Sequence, residues 1–359
     1  MDNHKEIDYL IVGQGLAGTL AGHFLSKTGA SFLILDDEYE RASTQVAAGL
    51  INPVTGRRFV KSWMIDTLLP FAEATYREIE QLLGLQLFHA HHIVRALFSA
   101  GEENDWLGRS ALPEYVPYIQ EPANVRPFLP YVKPVYAYSE IKNCARVNIA
   151  LMRQKYKQRF QQSGNWKHDV FDYNQLQVEE QGITYKEWRA KKIIFSEGAR
   201  VKENPYFNYL PFMCDKGEIL LAKIPDVNFD QIYKHKVYLI PYGDDIYWVG
   251  ASVQWEYADD YPSREAKEEL IEKLDKAIDT PYTIIEHQAA IRPTVRDRRP
   301  FIGQHPELST LYLLNGFGTK GTSLAPYWTH HFINYLTRGG RLSEEVDIVR
   351  YLRFYQGIK

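Results

Sequence analysis

Residues 7–18 read IDYLIVGQGLAG, an apolar run that passes directly into a glycine-rich turn. The run is apolar except for Asp8, which predicts a buried strand of a parallel sheet. A helical pattern follows as far as Gly29, and a second apolar run, residues 32–35, ends at Asp36. The order of strand, GxGxxG turn, helix, strand and acid predicts a βαβ unit that binds a dinucleotide.

Each part of this pattern has a physical reason. Gly13 permits a tight turn, Gly15 lets the backbone approach a pyrophosphate, and Gly18 lets the helix pack closely on the strand. The N terminus of the helix offers unpaired N–H groups and a partial positive charge to phosphate oxygens. Asp36 stands where a carboxylate can accept hydrogen bonds from ribose hydroxyls. The competing interpretation is a glycine-rich turn that serves only the packing of helix on strand.

A second GxGxxG occurs at residues 316–321, GFGTKG, between the apolar run 311–314 and a helical stretch at 324–336. The chain that follows is too short for another βαβ unit with its own acid-bearing strand. We therefore interpret this loop as a ligand contact of another kind, not as a nicotinamide site.

The composition sets limits on the class of protein. The chain has 359 residues, a net charge of −3 and two cysteines, Cys144 and Cys214. An acidic balance gives no electrostatic reason to expect nucleic acid as a partner. The N terminus lacks the features of a signal peptide or a membrane span, so we expect a cytoplasmic protein that does not enter a membrane. His89, His91 and His92 resemble metal ligands, but no acid or cysteine completes the set, and we predict no metal site.

The rest of the sequence alternates between helical and strand-like patterns. A helix is expected between residues 62 and 83, with a kink or a new start at Pro70, whereas 85–134 reads as strand-like and proline-rich. Further elements are expected as a helix at 147–160, a hairpin arm and buried strand at 182–195, antiparallel strands within 216–252, and a charged surface helix at 263–278. The predicted fold class is α/β with an α+β insertion: a Rossmann-like domain (1–84, 140–205 and 286–359) and an antiparallel-sheet substrate domain (85–139 and 206–285).

The ordered motifs resemble the glycine oxidase, D-amino-acid oxidase and sarcosine oxidase family of FAD-dependent oxidoreductases. The matching pieces run from end to end in family order: IVGQGLAG with LILDD, then STQVAAG, KKIIFSEGA, KGEIL, IYWVGAS, AIRPTVRDRRPFIG and NGFGTKGTSLAP. The far-end pair, the Arg-Pro-Thr motif followed by the glycine-rich loop, is the most specific of them.

The resemblance implies FAD in an extended form, held without a covalent bond because no cysteine lies in the far-end motif. Small residues at 47–49 would let the backbone itself line the flavin, and the helix after Gly321 would face the ring with its positive end. The cofactor-binding residues implied in this way are Gly13, Gly15, Leu16, Ala17, Gly18, Asp36, Asp37, Ala47, Ala48, Gly49, Val170, Ser196, Gly198, Arg292, Gly303, Gly318, Thr319, Lys320, Gly321 and Thr322.

The activity implied is oxidation of the C–N bond of a small amine or amino acid, with hydride transfer to flavin N5. Arg292 occupies the position that binds the substrate carboxylate in glycine oxidase-like enzymes, and the competing interpretation is that it pairs with an acid. Lys320 would add charge near the flavin, and Arg58, of the adjacent pair Arg57–Arg58, is a further active-site candidate.

The sequence also departs from both subfamilies. Thr319 stands where glycine oxidases have a second arginine, and Trp248 stands near the lysine that sarcosine oxidases use with oxygen. This favours a dehydrogenase slightly over an oxidase. Two alternatives remain open: an FAD enzyme that acts on a modified transfer-RNA nucleoside, and a flavin-binding protein without catalysis. The identity of the amine and the oligomeric state are not predicted.

Overall fold

The computed structural model describes residues 4–227 and 229–357. Its helices and strands are, in chain order, β1 (Lys5–Val12), α1 (Leu16–Leu25), β2 (Phe32–Asp36), α2 (Ser43–Val46), β3 (Leu50–Ile51), β4 (Val54–Thr55), β5 (Val60–Lys61), α3 (Ile65–Leu83), β6 (Phe88–Leu97), α4 (Ala100–Ser110), β7 (Ile119–Gln120), β8 (Ala137–Val147), α5 (Ile149–Gln162), β9 (Trp166–His168), β10 (Leu176–Glu179), β11 (Gly182–Tyr185), β12 (Trp188–Phe195), β13 (Asp215–Lys223), β14 (Ile232–Lys234), β15 (Tyr238–Gly243), β16 (Ile246–Gly250), α6 (Arg264–Asp275), β17 (Thr283–Arg292), β18 (Phe301–Gln304), β19 (Leu311–Asn315) and α7 (Gly321–Arg338). Short 3₁₀ turns include Gly318–Lys320 and Ile348–Phe354.

The chain forms two compact units. Unit 1 comprises residues 1–45, 149–215 and 291–359, and unit 2 comprises residues 46–148 and 216–290. The expected domains had the same discontinuous order, but they placed 286–290 with the nucleotide-binding part and 206–215 with the substrate part. They also placed 46–84 and 140–148 with the nucleotide-binding part. These segments lie in unit 2 because β3 pairs with β8, so that Leu50 stands opposite Arg146.

Unit 1 is built around the predicted βαβ unit. Strand β1 pairs in parallel with β2 on one side and with β12 on the other, and β19 continues the parallel set beside β12. The carboxyl end of β1 opens directly into the glycine turn and α1. Strands β2 and β19 are buried along their whole length, and β1 and β12 are buried over their carboxyl-terminal halves, as expected for strands that are covered on both faces.

Unit 2 is a mixed, mainly antiparallel sheet with the strand order β17-β13-β16-β15-β14-β6-β8-β3. The inward residues of α6, Leu270 and Leu274, belong to one core cluster with Leu220 and Val249 of the sheet. Helix α6 therefore packs on this sheet, and its remaining, charged residues are largely exposed, as the sequence predicted.

The helices predicted at 147–160 and 324–336 are confirmed within a few residues, as Ile149–Gln162 and Gly321–Arg338. Helix α3 is a single helix that contains Pro70 and ends at Gly84, whose φ of 66° is left-handed. The prediction of a purely strand-like stretch over 85–134 was wrong, because α4 lies there. This helix has only Trp106 buried, and its start is marked by the Ser99 side chain, which accepts a hydrogen bond from Glu102 N–H.

Candidate functional site

The glycine turn after β1 has the geometry that a pyrophosphate requires. A Cβ at Gly18 would lie 1.9 Å from the Gly13 carbonyl oxygen, and one at Gly13 would lie 2.6 Å from that of Ser196. Both glycines are thus fixed by close packing. A Cβ at Gly15, at the N terminus of α1, would meet one side-chain atom, Thr44 Oγ1 at 3.3 Å, so this position is less crowded than Gly13 and Gly18. Nearby, Leu16 and Ala17 are the first residues of α1, and the Leu16 N–H donates to Thr44.

Asp36 is the last residue of β2, and its carboxylate is held by a backbone amide and an arginine. It is 8% exposed, and one carboxylate oxygen accepts a hydrogen bond from the Gln14 N–H at 2.5 Å. The other oxygen lies 2.7 Å from Nη2 of Arg153, whose Nε donates to the Gln14 carbonyl oxygen at 2.7 Å. Arg153 thus joins the acid to the glycine turn. Sequence reasoning missed this residue because its helix, α5, is distant in the chain.

The other predicted contacts of unit 1 surround the same sheet. Asp37 forms an ion pair with Arg200 at the surface, and Val170, which follows β9, is exposed. Ser196 directly follows β12, and Gly198, two residues further on, adopts a φ of +60°. Gly303 has a packing reason of its own, since a Cβ there would lie 2.9 Å from the Ile348 side chain.

The glycine-rich loop at 316–321 becomes a 3₁₀ turn that leads into α7. Gly318 has a φ of +54°, which favours glycine, and Thr319 and Lys320 complete the turn. No side chain caps the N terminus of α7, where Gly321 and the buried Thr322 begin the helix. Burial and the charge of Arg298 lower the pKa of the Lys320 ammonium. This helix end is therefore positive and suits an anionic group.

Arg292 is engaged within unit 1. Its Nη1 forms an ion pair with the Asp215 carboxylate. The Asp215 side chain is only 2% exposed and also accepts a hydrogen bond from the Thr294 hydroxyl. The competing interpretation from the sequence, a pair with an acid, is therefore present in the fold. The positive charge of Arg292 is balanced before any substrate binds.

The small residues at 47–49 belong to unit 2 and are closely fitted there. Gly49 has a φ of +70°, and a Cβ there would lie 1.8 Å from the Val147 carbonyl oxygen. Ala48 is buried and Ala47 is exposed. The segment is fixed at its start by Trp248, whose indole N–H donates to the Val46 carbonyl oxygen at 3.0 Å. A side chain at position 49 is therefore excluded by the Val147 backbone.

Arg57 and Arg58 lie in the turn between β4 and β5, and both are exposed. The turn itself is well held, because the Arg95 guanidinium donates to the Gly56 carbonyl oxygen at 2.8 Å and lies 4.3 Å from the centroid of the Phe59 ring. Neither member of the arginine pair has an acid within salt-bridge distance among the residues that the structure describes.

A basic cluster in unit 2 was not predicted. Lys234 and Arg95 are direct register partners on β14 and β6, and the Lys234 ammonium lies 4.2 Å from the centroid of the Tyr238 ring. Burial, together with Arg95 and Lys273, lowers the pKa of Lys234 to about 7. The Asn52 amide donates to the Tyr238 hydroxyl at 3.3 Å. The sequence feature that could have indicated this cluster is a lysine, Lys234, at the end of the short apolar strand β14.

Other kinds of site find no support in the part of the chain described. No helix there is long and apolar enough to cross a membrane. No group of three or more His, Cys, Asp or Glu side chains is arranged to hold a metal ion among these residues. Cys144 and Cys214 are both buried and are not joined by a disulfide.

The residues of the glycine turn and Asp36 fit FAD. The absence of a side chain at Gly15 lets a phosphate approach the backbone, and the buried carboxylate of Asp36 can accept from ribose hydroxyls. The N terminus of α7, which no side chain caps, offers a positive end to an electron-rich ring.

Comparison with known proteins agrees with this geometry. Residues 8–329 match the family model described as FAD dependent oxidoreductase. A curated glycine oxidase from Bacillus licheniformis is 23% identical over 344 residues, which cover 90% of each chain.

Two solved structures are similar in fold. One is a glycine oxidase from Geobacillus kaustophilus, with a TM-score of 0.79 at 17% identity over 97% of this chain and 98% of that one. The other is an iminodiacetate oxidase from Chelativorans sp. BNC1, with a TM-score of 0.75 at 20% identity over 96% and 98%.

Proposed function

The chain belongs to the family of FAD-dependent oxidoreductases, and we propose that it oxidises the C–N bond of a small amine that carries a carboxylate. The observation that carries the proposal is the glycine turn with Asp36 and Arg153, a complete setting for the nucleotide half of FAD. The substrate class is supported by the relatives, because glycine oxidase and iminodiacetate oxidase are named for amines that carry carboxylates.

FAD, when bound, would supply the acceptor for one hydride, that is, for two electrons and a proton. The chain would hold it through the backbone at Gly13, Gly15 and Gly18 and through the carboxylate of Asp36. The absence of cysteine from the 291–322 region supports a non-covalent attachment. Two buried cysteines that remain thiols support the cytoplasm as the compartment.

The protein groups act by charge and position. The N terminus of α7 and Lys320 would stabilise negative charge on an electron-rich ring, and removal of Lys320 would weaken this effect. Ala47, Ala48 and Gly49 would present a flat backbone wall, for which the tight fit of Gly49 against Val147 is the supporting observation. If the amine reacts in its neutral form, the reaction requires no side-chain base at the carbon.

An anaerobic reduction experiment tests the proposal. Purified protein, supplied with FAD, is mixed without oxygen with glycine, sarcosine, iminodiacetate and proline, and with methylamine and dimethylamine as partners that lack the carboxylate. We expect loss of the oxidised flavin absorbance with at least one carboxylated amine and none with its decarboxylated partner. Retention of flavin without reduction by any amine would contradict the proposal, and failure to bind FAD would contradict the cofactor assignment.

The electron acceptor is a separate question. The tryptophan at 248 in place of a lysine supports a dehydrogenase, and here its indole holds the Val46 carbonyl instead of carrying a charge. We expect slow reoxidation of the reduced protein by oxygen compared with an artificial quinone acceptor. Equal rates with both acceptors would favour an oxidase.

A further inference from the structure

Arg146 is a buried arginine in β8 of unit 2. Only 8% of its surface is exposed, and it stands directly opposite Leu50, the residue that follows the small segment 47–49. Its guanidinium carbon lies 3.9 Å from the centroid of the Tyr242 ring, which is within the range of a cation–π contact. The guanidinium plane is thus oriented by an aromatic face on the same sheet.

The charge of Arg146 is not balanced by an acid. Among residues 4–227 and 229–357, no carboxylate lies within 4.0 Å of its guanidinium, and its buried Nε has no hydrogen-bond partner. The other arginine that is more than nine-tenths buried, Arg153, has Asp36 as its partner. A buried cation without an anion is costly, so its presence indicates an anion that arrives from outside the chain.

The groups around Arg146 do not provide this anion. Burial and the nearby Arg146 lower the pKa of His89, so this ring is neutral at physiological pH. Burial raises the pKa of the Tyr242 hydroxyl, which is therefore also neutral. The acid that acts on His89, Glu80, already accepts from the Leu87 and Phe88 amides and from Arg77.

A neutral Tyr242 and a charged Arg146 together suit a carboxylate. The arginine fork can donate two parallel hydrogen bonds to the oxygens of a carboxylate, and a tyrosine hydroxyl can donate one more. Arg292, the residue implied by the resemblance for this task, instead forms an ion pair with Asp215, which balances its charge.

We propose that Arg146, assisted by Tyr242, binds the carboxylate of the substrate. This inference rests on the proposed function for the identity of the ligand as a carboxylated amine. Its basis in the structure is the unbalanced charge within unit 2, which does not depend on that function.

The test uses the FAD-loaded protein and acetate, with acetamide as the neutral probe of the same shape. Calorimetric titration gives the dissociation constants of wild type, Arg146→Met, Arg146→Lys and Arg292→Met. We expect acetate to bind wild type and acetamide not to bind. Loss of a charged, two-pronged contact is expected to weaken acetate about 10- to 100-fold in Arg146→Met, with an intermediate loss in Arg146→Lys. In Arg292→Met the loss is expected to be smaller.

Two further measurements keep the test decisive. Thermal melting and flavin content show whether Arg146→Met is folded, and Tyr242→Phe, a milder change, is expected to weaken acetate about three- to tenfold. Unchanged acetate binding in folded Arg146→Met would overturn the inference. Tighter binding of inorganic phosphate than of acetate by wild type would also overturn it, because the site would then be a phosphate site.

The outcomes separate this inference from the proposed function. Acetate binding that depends on Arg146, in a protein whose flavin no amine reduces, would support the carboxylate site and contradict amine oxidation. Reduction by an amino acid with a KM that is the same in wild type and Arg146→Met would support amine oxidation and contradict the inference.

Discussion

Arg153 and Arg146 stand seven positions apart in the chain, and both are buried, at 6% and 8% exposure. Arg153 lies in unit 1 and is neutralised by Asp36 at 2.7 Å. Arg146 lies in unit 2, packs on Tyr242 and has no acid within salt-bridge distance among the described residues. Equal burial therefore hides two different roles: the first arginine completes an internal network, and the second keeps its charge for a ligand.

The same difference extends to neighbouring residues. In unit 1, Arg292 is balanced by Asp215. In unit 2, Lys234 and Arg95 are register partners on neighbouring strands, and burial lowers the pKa of Lys234 to about 7. Unit 2 is not without buried pairs, since Lys216 lies 3.2 Å from Glu218. The contrast thus marks particular places on its sheet and not the whole unit.

Arg153→Met removes the cation of the buried Arg153–Asp36 pair and has the largest expected effect on stability. It leaves Asp36 buried without its cation, which typically costs about 3–5 kcal/mol in the free energy of unfolding. The affinity for FAD is expected to fall as well, because Arg153 fixes both Asp36 and the Gln14 carbonyl oxygen. Denaturant unfolding of the FAD-free protein and titration with FAD measure the two effects separately.

The control is Arg159→Met, an exposed arginine on the same helix, for which no such loss is expected. Asp36→Asn combined with Arg153→Met removes both charges and should regain part of the stability but not the FAD affinity. If Arg153→Met alone were as stable as Arg159→Met, the Arg153–Asp36 pair would not contribute to the stability of the fold.

Lys234→Met removes a partly buried cation that has no acid beside it among the described residues, and its effect depends on pH. The pKa of Lys234 is lowered by burial to about 7, so the unfolded chain binds the proton more tightly than the folded one. The cost of burying the charge is full below pH 7 and declines as the pH rises from 7 towards 10.5. We expect Lys234→Met to raise the free energy of unfolding by about 2 kcal/mol at pH 6.5. The whole pKa shift, at about 1.4 kcal/mol for each unit, would give a larger gain, but solvent still reaches the side chain and reduces it.

Denaturant unfolding at pH 6.5 and at about pH 10 measures this change, with exposed Lys236→Met as the matched control. The gain should be smaller at the higher pH and absent in the control. An equal gain at both pH values would show that packing of the methionine, and not loss of the charge, is responsible.

Arg58→Ala has the smallest expected effect and tests an unbalanced charge that is exposed. Its stability should stay within about 0.5 kcal/mol of wild type, because surface charges contribute little. If Arg58 attracts a carboxylated substrate, the KM for that amine should rise about two- to threefold at low salt, and the rise should vanish at high salt. Arg57→Ala is the control, and the same salt-sensitive rise in both variants would leave Arg58 without a specific role.

The βαβ unit and its glycines followed from local sequence, because the tight turn and the close packing need glycine whatever the rest of the chain does. Gly13 and Gly18 show this, with Cβ distances that only glycine can accept. Helix α4 was missed since its exposed, charged surface buries only Trp106 and thus has no apolar stripe. The pairing of Arg292 with Asp215 was left open, because two residues 77 positions apart meet only through folding.

The sequence by itself determined the class of fold, the FAD-dependent family and the turn that suits a dinucleotide. These depend on residues close in the chain, whose spacing fixes strand, turn and helix. Only the tertiary structure decided which charges are balanced. Electrostatic balance depends on distances of a few ångströms between residues from distant segments, and burial magnifies each charge that lacks a partner. Arg153, Arg292 and Arg146 are alike as letters, and the fold gives acids to the first two and leaves the third for a ligand.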